Sequence, residues 1–143
     1  MLSALPPTSV FRSVIGEASS PPPPIRFELV ALEHLFLDFL GWQSDTAPVH
    51  AVLASLASGS PLRLVDGPTR LRLVVDGGDH DGVVVGELSR AGSEQWRLRR
   101  ESVRSVRVAV VLQRRRDQVD AEFAARCRCE RWLVVVPEFV LGE

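Results

Sequence analysis

The sequence predicts a mainly β domain of the α+β class: a small antiparallel β-barrel or half-barrel of five strands, with an N-terminal helical element. Three observations carry this. From Ser60 onward apolar residues recur at alternate positions, the period of a half-buried strand. Clusters of Gly, Pro and Asp interrupt these runs at short intervals, as turns between antiparallel strands require. Before Ser60 the apolar residues recur at helical spacing instead. The 143 residues suffice for one domain with a real core. A hydrophobic content of 45% with 24% charged residues is that of a globular chain.

Residues 1–26 read as a flexible Pro-rich tail, and 27–143 as a single domain, with 27–59 helical and 60–143 barrel-like. Pro6, Pro7 and the run Pro21–Pro24 hold the backbone extended, which suits a stiff linker or a PxxP-type ligand. Over 27–42, Leu29, Leu32, Phe36, Phe39 and Leu40 share one helical face, and Val30, Leu35 and Leu37 make the others apolar. Val30 and Leu37 are then left facing outward, as a surface for a partner or a second copy. A second helix is expected from Ala47 to Ala57, with Pro48 in its first turn and Gly59 ending it.

Leu62 and Leu64 begin the strands, and Leu71, Leu73 and Val75 form the next across an Asp66-Gly67-Pro68 turn. A glycine-rich hairpin, Asp76 to Gly82, leads to a third strand at Val83–Val85. Ser89 is placed to cap a short helix reaching about Trp96. A long strand follows, with Val106, Val108, Val110 and Leu112 on one face, ended by Arg114–Asp117. Val119 to Cys127 is a short helix or an ordered loop. The last strand runs from Trp132 through Pro137 to Leu141, and must be an edge or bend at the proline.

Motifs for chemistry are few. Cys127 and Cys129 are too few for a disulfide framework and suit a reducing, cytoplasmic setting. They could hold zinc only if further ligands converge, and His34, His50 and His80 lie at no local metal spacing. Arg126, Arg128 and Arg131 nearby would lower the thiol pKa values. Asp76, Asp79 and Asp81 lack the EF-hand spacing, and a metal-free turn is expected. Ser89 has no GxSxG setting, and neither a P-loop nor GxGxxG occurs. No enzyme activity and no cofactor are therefore expected. No apolar run reaches the roughly 18 residues of a membrane span.

Charge is unevenly spread, although the total is only −1. All 17 basic residues are arginine. Residues 90–131 hold twelve arginines against six acids, a local +6, whereas 1–60 hold two against five, a local −3. A basic face would suit phosphate. Arg107, Arg114, Arg115 and Arg116 are the candidate phosphate contacts, with Trp96 and Trp132 as candidate stacking platforms for unpaired bases.

Two resemblances bear on this. Val85-Gly86-Glu87-Leu88-Ser89-Arg90, after Leu56 to Leu64, resembles the grammar of HIRAN-type barrels, without their Asn-Pro-Tyr-Asp stretch. The same Val85–Arg90 motif continues with Trp96, Val106–Val111, Arg114–Asp117, Glu122-Phe123, Arg128–Trp132 and Val134–Val140. Together these resemble the C-terminal extension of certain bacterial RecQ-family helicases over residues 60–143. The resemblance implies a helicase context without a motor, since Walker and DEAH-type motifs are missing. The expected role is thus a non-catalytic accessory domain of DNA-processing machinery, with DNA and a RecQ-like helicase as partners. The alternative is a protein–protein adaptor or homodimeric module docking through the Leu29–Leu40 helix.

Overall fold

The computed structural model of the chain describes residues 24–142. Six strands form one antiparallel sheet: β1 (Arg26–Leu29), β2 (Pro61–Asp66), β3 (Leu71–Val75), β4 (Val84–Glu87), β5 (Val103–Arg115) and β6 (Arg131–Leu141). Their order is β1-β6-β5-β2-β3-β4. The α+β class is as expected, but the sheet is open, and it has six strands rather than five. Three short helices accompany it: α1 (Val49–Ala54), α2 (Arg90–Leu98) and α3 (Ala121–Ala124). The tail expected over 1–26 lies outside the described residues up to residue 23, and Arg26 already belongs to β1.

The extra strand comes from the segment expected to be helical. Arg26 to Leu29 pair antiparallel with Leu141 to Glu138, and single 3₁₀ turns at Leu32–His34 and Leu40–Trp42 replace the rest of the helix. The helical spacing there is coincidental. The side chains that enter the core are Val30, Leu35 and Leu40, five residues apart, a period of neither helix nor strand. Val30, expected to face a partner, is 1% exposed, and its N–H donates to the Pro137 carbonyl at 3.1 Å. Leu37 is partly buried, and its carbonyl accepts the Trp132 indole N–H at 2.9 Å. Leu35 bridges to Leu88, tying this irregular stretch to the end of β4.

The middle of the chain follows its sequence signals closely. α1 starts after Pro48, and β2, β3 and β4 form an antiparallel meander. The Asp76–Gly82 hairpin joins β3 to β4, and Gly77, Gly78 and Gly82 all adopt positive φ there. Its carboxylates serve a side chain: Asp76 and Asp81 both grip Arg63, at 3.0 and 2.7 Å. The Ser89 hydroxyl caps α2 by accepting the Gly92 N–H at 3.0 Å.

The β5–β6 pair holds the main departure. Val108 lies opposite Pro137, but Val110 lies opposite Val136, so Ala109 is an extra residue on β5. This bulge flips the face of everything after it. Val106 and Val108 point into the core, whereas Val110 and Leu112, expected beside them, point to the opposite face and are exposed. Pro137, with no N–H for the ladder, sits at the bulge. It lies in a strand flanked by both β1 and β5 and not at an edge of the sheet; its carbonyl accepts from Val30, so the missing donor faces the β1 side just past the end of that strand, where the ladder stops at Leu29.

Candidate interaction surface

Each of the four arginines singled out for phosphate contact is engaged by a carboxylate. Arg107 pairs with Glu138 at 2.7 Å, and its guanidinium lies 4.7 Å from the centre of the Phe27 ring. Arg114 donates to Asp38 at 2.9 Å, Arg115 to Asp117 at 3.1 Å and Arg116 to Glu130 at 3.1 Å. Arg116 also donates to the Cys127 carbonyl at 2.7 Å. The Arg114–Asp38 pair is the most buried of the four, and the other, more exposed pairs contribute roughly 0–1 kcal/mol each to stability. Their effect on binding is that an incoming phosphate must compete with a carboxylate already in place. Asp38 comes from the acidic N-terminal part of the chain, so the two charge blocks of the sequence partly neutralise each other in space.

The two tryptophans are core residues. Trp96 is 1% exposed and meets Phe139 edge-to-face, with ring centroids 4.4 Å apart. Trp132 is 3% exposed, and its ring packs so closely on Gly41 that a Cβ added there would lie 2.6 Å away. Neither can stack on a base while the domain is folded, so the stacking role expected for them is withdrawn.

The exposed feature the structure does assemble is apolar. Phe27 and Leu29 on β1 lie opposite Val140 and Glu138 on β6, and Glu138 lies opposite Arg107 on β5. Two-residue steps along β6 from Glu138 reach Val136 and Val134, which face Val110 and Leu112. Phe27, Leu29, Val110 and Leu112 therefore share the outer face of the β1–β6–β5 sheet, with the Arg107–Glu138 pair among them. Leu32 extends this face at a depression of about 150 Å³ that it lines with Leu37, Leu112, Arg114 and Val134. β1 is amphipathic in the inverted sense: Phe27 and Leu29 are each 57% exposed, while Glu28, on the other face, is held bidentately by Arg99 at 2.7 and 2.9 Å. That arginine holds the Glu28 carboxyl below its usual range, chiefly through the hydrogen bond.

Sequence reasoning missed this face because the Ala109 bulge, which turns Val110 and Leu112 outward, carries no local signal. The alternation Ile25-Arg26-Phe27-Glu28-Leu29 was legible as a strand, but the helical spacing of the same apolar residues masked it.

The cysteine pair behaves as core. Both thiols are free and buried, and burial raises both pKa values, outweighing the arginines expected to lower them. Cys129 Sγ lies 3.7 Å from His50 Nε2, an approach between residues distant in sequence. His50 Nε2 is also 2.8 Å from the Ser44 carbonyl, which can only accept. The proton on that nitrogen is thereby committed, and the imidazole does not take the thiol proton there. Alkylation by iodoacetamide near neutral pH is expected to be slow for both thiols in the native protein and fast in urea. Rapid native labelling at Cys129 would show an activated thiol instead.

Among the described residues, no group of three or more His, Cys, Asp or Glu side chains is placed to hold a metal ion. No helix among them is long and apolar enough to cross a membrane. No family model, curated protein or solved structure matches the chain at a significant level.

Proposed function

We propose that this chain is a non-catalytic protein–protein adaptor of the cytoplasm that docks its partner on the outer face of β1, β6 and β5. The observation that carries the reading is the inverted strand β1, which turns Phe27 and Leu29 to water beside Val110 and Leu112. Large apolar side chains gathered on one sheet face, around one ion pair, are the usual mark of an association surface. Contact with DNA through Arg107, Arg114, Arg115 and Arg116 has less support, because each is already paired and both tryptophans are buried. On the motif resemblance of residues 60–143, a RecQ-like helicase is the first partner to try.

Site-specific photo-crosslinking tests this reading. A benzophenone amino acid at position 112 lies on the proposed face, and one at position 94 lies on α2, in an exposed position. Purified RecQ-family helicase, or the proteins of the native cell, should form a discrete adduct from position 112 and none from position 94. Equal labelling from both positions, or none from position 112, would remove the docking face.

A further inference from the structure

The free edge of β1 carries a second kind of self-description. Val30 donates its N–H to Pro137 on β6, so by antiparallel alternation the N–H and C=O groups of Phe27 and Leu29 point the other way, to the open edge of the sheet. Among the described residues, no bulge or covering strand blocks that edge. The five residues along it read Ile25, Arg26, Phe27, Glu28, Leu29: apolar, positive, apolar, negative, apolar.

We propose that the chain forms a two-fold dimer in which β1 pairs antiparallel with β1 of a second copy, centred on Phe27. The register follows from the charges. A two-fold axis normal to the sheet keeps side chains on their own face, so it must pass beside a single residue of the strand. Centred on Arg26 or on Glu28, it would set like charges directly opposite each other. Centred on Ile25, it would set Arg26 against Pro24, and centred on Leu29 it would set Glu28 against Val30. Centred on Phe27, it sets Arg26 against Glu28 of the second copy at both ends, Ile25 against Leu29, and Phe27 against Phe27. That register alone places opposite charges opposite each other, and like charges so placed are unfavourable. It also uses the edge-directed backbone groups of Ile25, Phe27 and Leu29 in both copies. Pro24 falls at a position whose N–H would point towards β6, so its missing donor does not matter. Arg99, clamped on Glu28, already fixes the acid in place. The two six-stranded sheets become one, and their outer apolar faces become continuous.

Sedimentation equilibrium over a concentration series, up to several hundred micromolar, tests the proposal. The parent should approach twice the chain mass. Arg26→Glu, at an exposed position, should weaken association by about tenfold or more. The exchanged variant Arg26→Glu with Glu28→Arg should recover it, because opposite charges again face each other. If that variant loses its fold by circular dichroism, Phe27→Pro decides: it removes an edge N–H, leaves the β6 ladder intact, and should be monomeric. A parent that stays monomeric throughout, or an Arg26→Glu and a Phe27→Pro that associate as the parent does, overturns the proposal. Leu112→Asp separates this interface from the docking face, since it should leave the dimer mass unchanged while abolishing partner binding. Loss of the dimer alone leaves the adaptor reading intact, and failure of crosslinking at position 112 leaves the dimer intact.

Discussion

Truncation of Trp96 to alanine is expected to cost about 3–5 kcal/mol of folding stability. The ring is fully buried, meets Phe139 edge-to-face and lies under the Arg99 guanidinium at 4.3 Å. Removing it leaves a large cavity between α2 and β6, and an order of 5–15 kcal/mol is all that a domain of this size has. Urea unfolding followed by fluorescence of the remaining tryptophans checks this, and the midpoint should fall by at least about 1 M. A shift within the ±0.5 kcal/mol or so typical of a surface substitution would mean that the indole is not core. Any binding activity lost in Trp96→Ala would then report loss of fold rather than loss of a stacking platform.

Gly92→Ala should destabilise the protein where ordinary helix propensity predicts the reverse. In an exposed helix this change gains close to 1 kcal/mol. Gly92, however, sits in the first turn of α2, where that turn is clamped to the N-terminal stretch. Ser89 donates its hydroxyl to the Glu33 carbonyl at 2.8 Å and its N–H to the His34 carbonyl at 2.8 Å. A Cβ on Gly92 would collide with that His34 carbonyl, which is backbone and cannot swing aside. A cost of about 1–3 kcal/mol follows from overpacking. Thermal unfolding decides the sign: a fall in Tm confirms the clamp, and a rise shows that α2 is free of the 32–35 segment.

What could be read in the sequence was local. Leu71, Leu73 and Val75 announce their strand by alternation, Ser89 announces its helix by capping, and Gly77, Gly78 and Gly82 announce a turn by their φ freedom. What could not be read depends on partners far along the chain. Arg99 finds Glu28 and Arg114 finds Asp38, so a count of charge by segment overstated the basic face. Phe27 to Leu40 carry apolar residues at spacings that fit a helix, yet Arg26 to Leu29 pair with β6, and only that pairing decides between the two. Ala109 looks like any strand residue, and its bulge shows only in the pairing with β6, where Val108 meets Pro137 and Val110 meets Val136. The candidate surface was least legible of all, since it is the product of that bulge and of β1.

The pairing of β1 with β6 also sets the order in which the protein can be made. β1 leaves the ribosome before every other strand of the sheet, and the strand it must pair with leaves after them all. At ordinary synthesis rates the interval is on the order of 5–20 s. The β2–β3–β4 meander can close early through neighbouring hairpins, but β1 and the core position of Val30 wait for Pro137 to Leu141. Throughout that interval Ile25, Phe27 and Leu29 sit on a strand unpaired on both sides. An unpaired apolar strand held open for that long is a template for pairing with another chain, and the emergence of β6, rather than any internal hairpin, permits the final folding step.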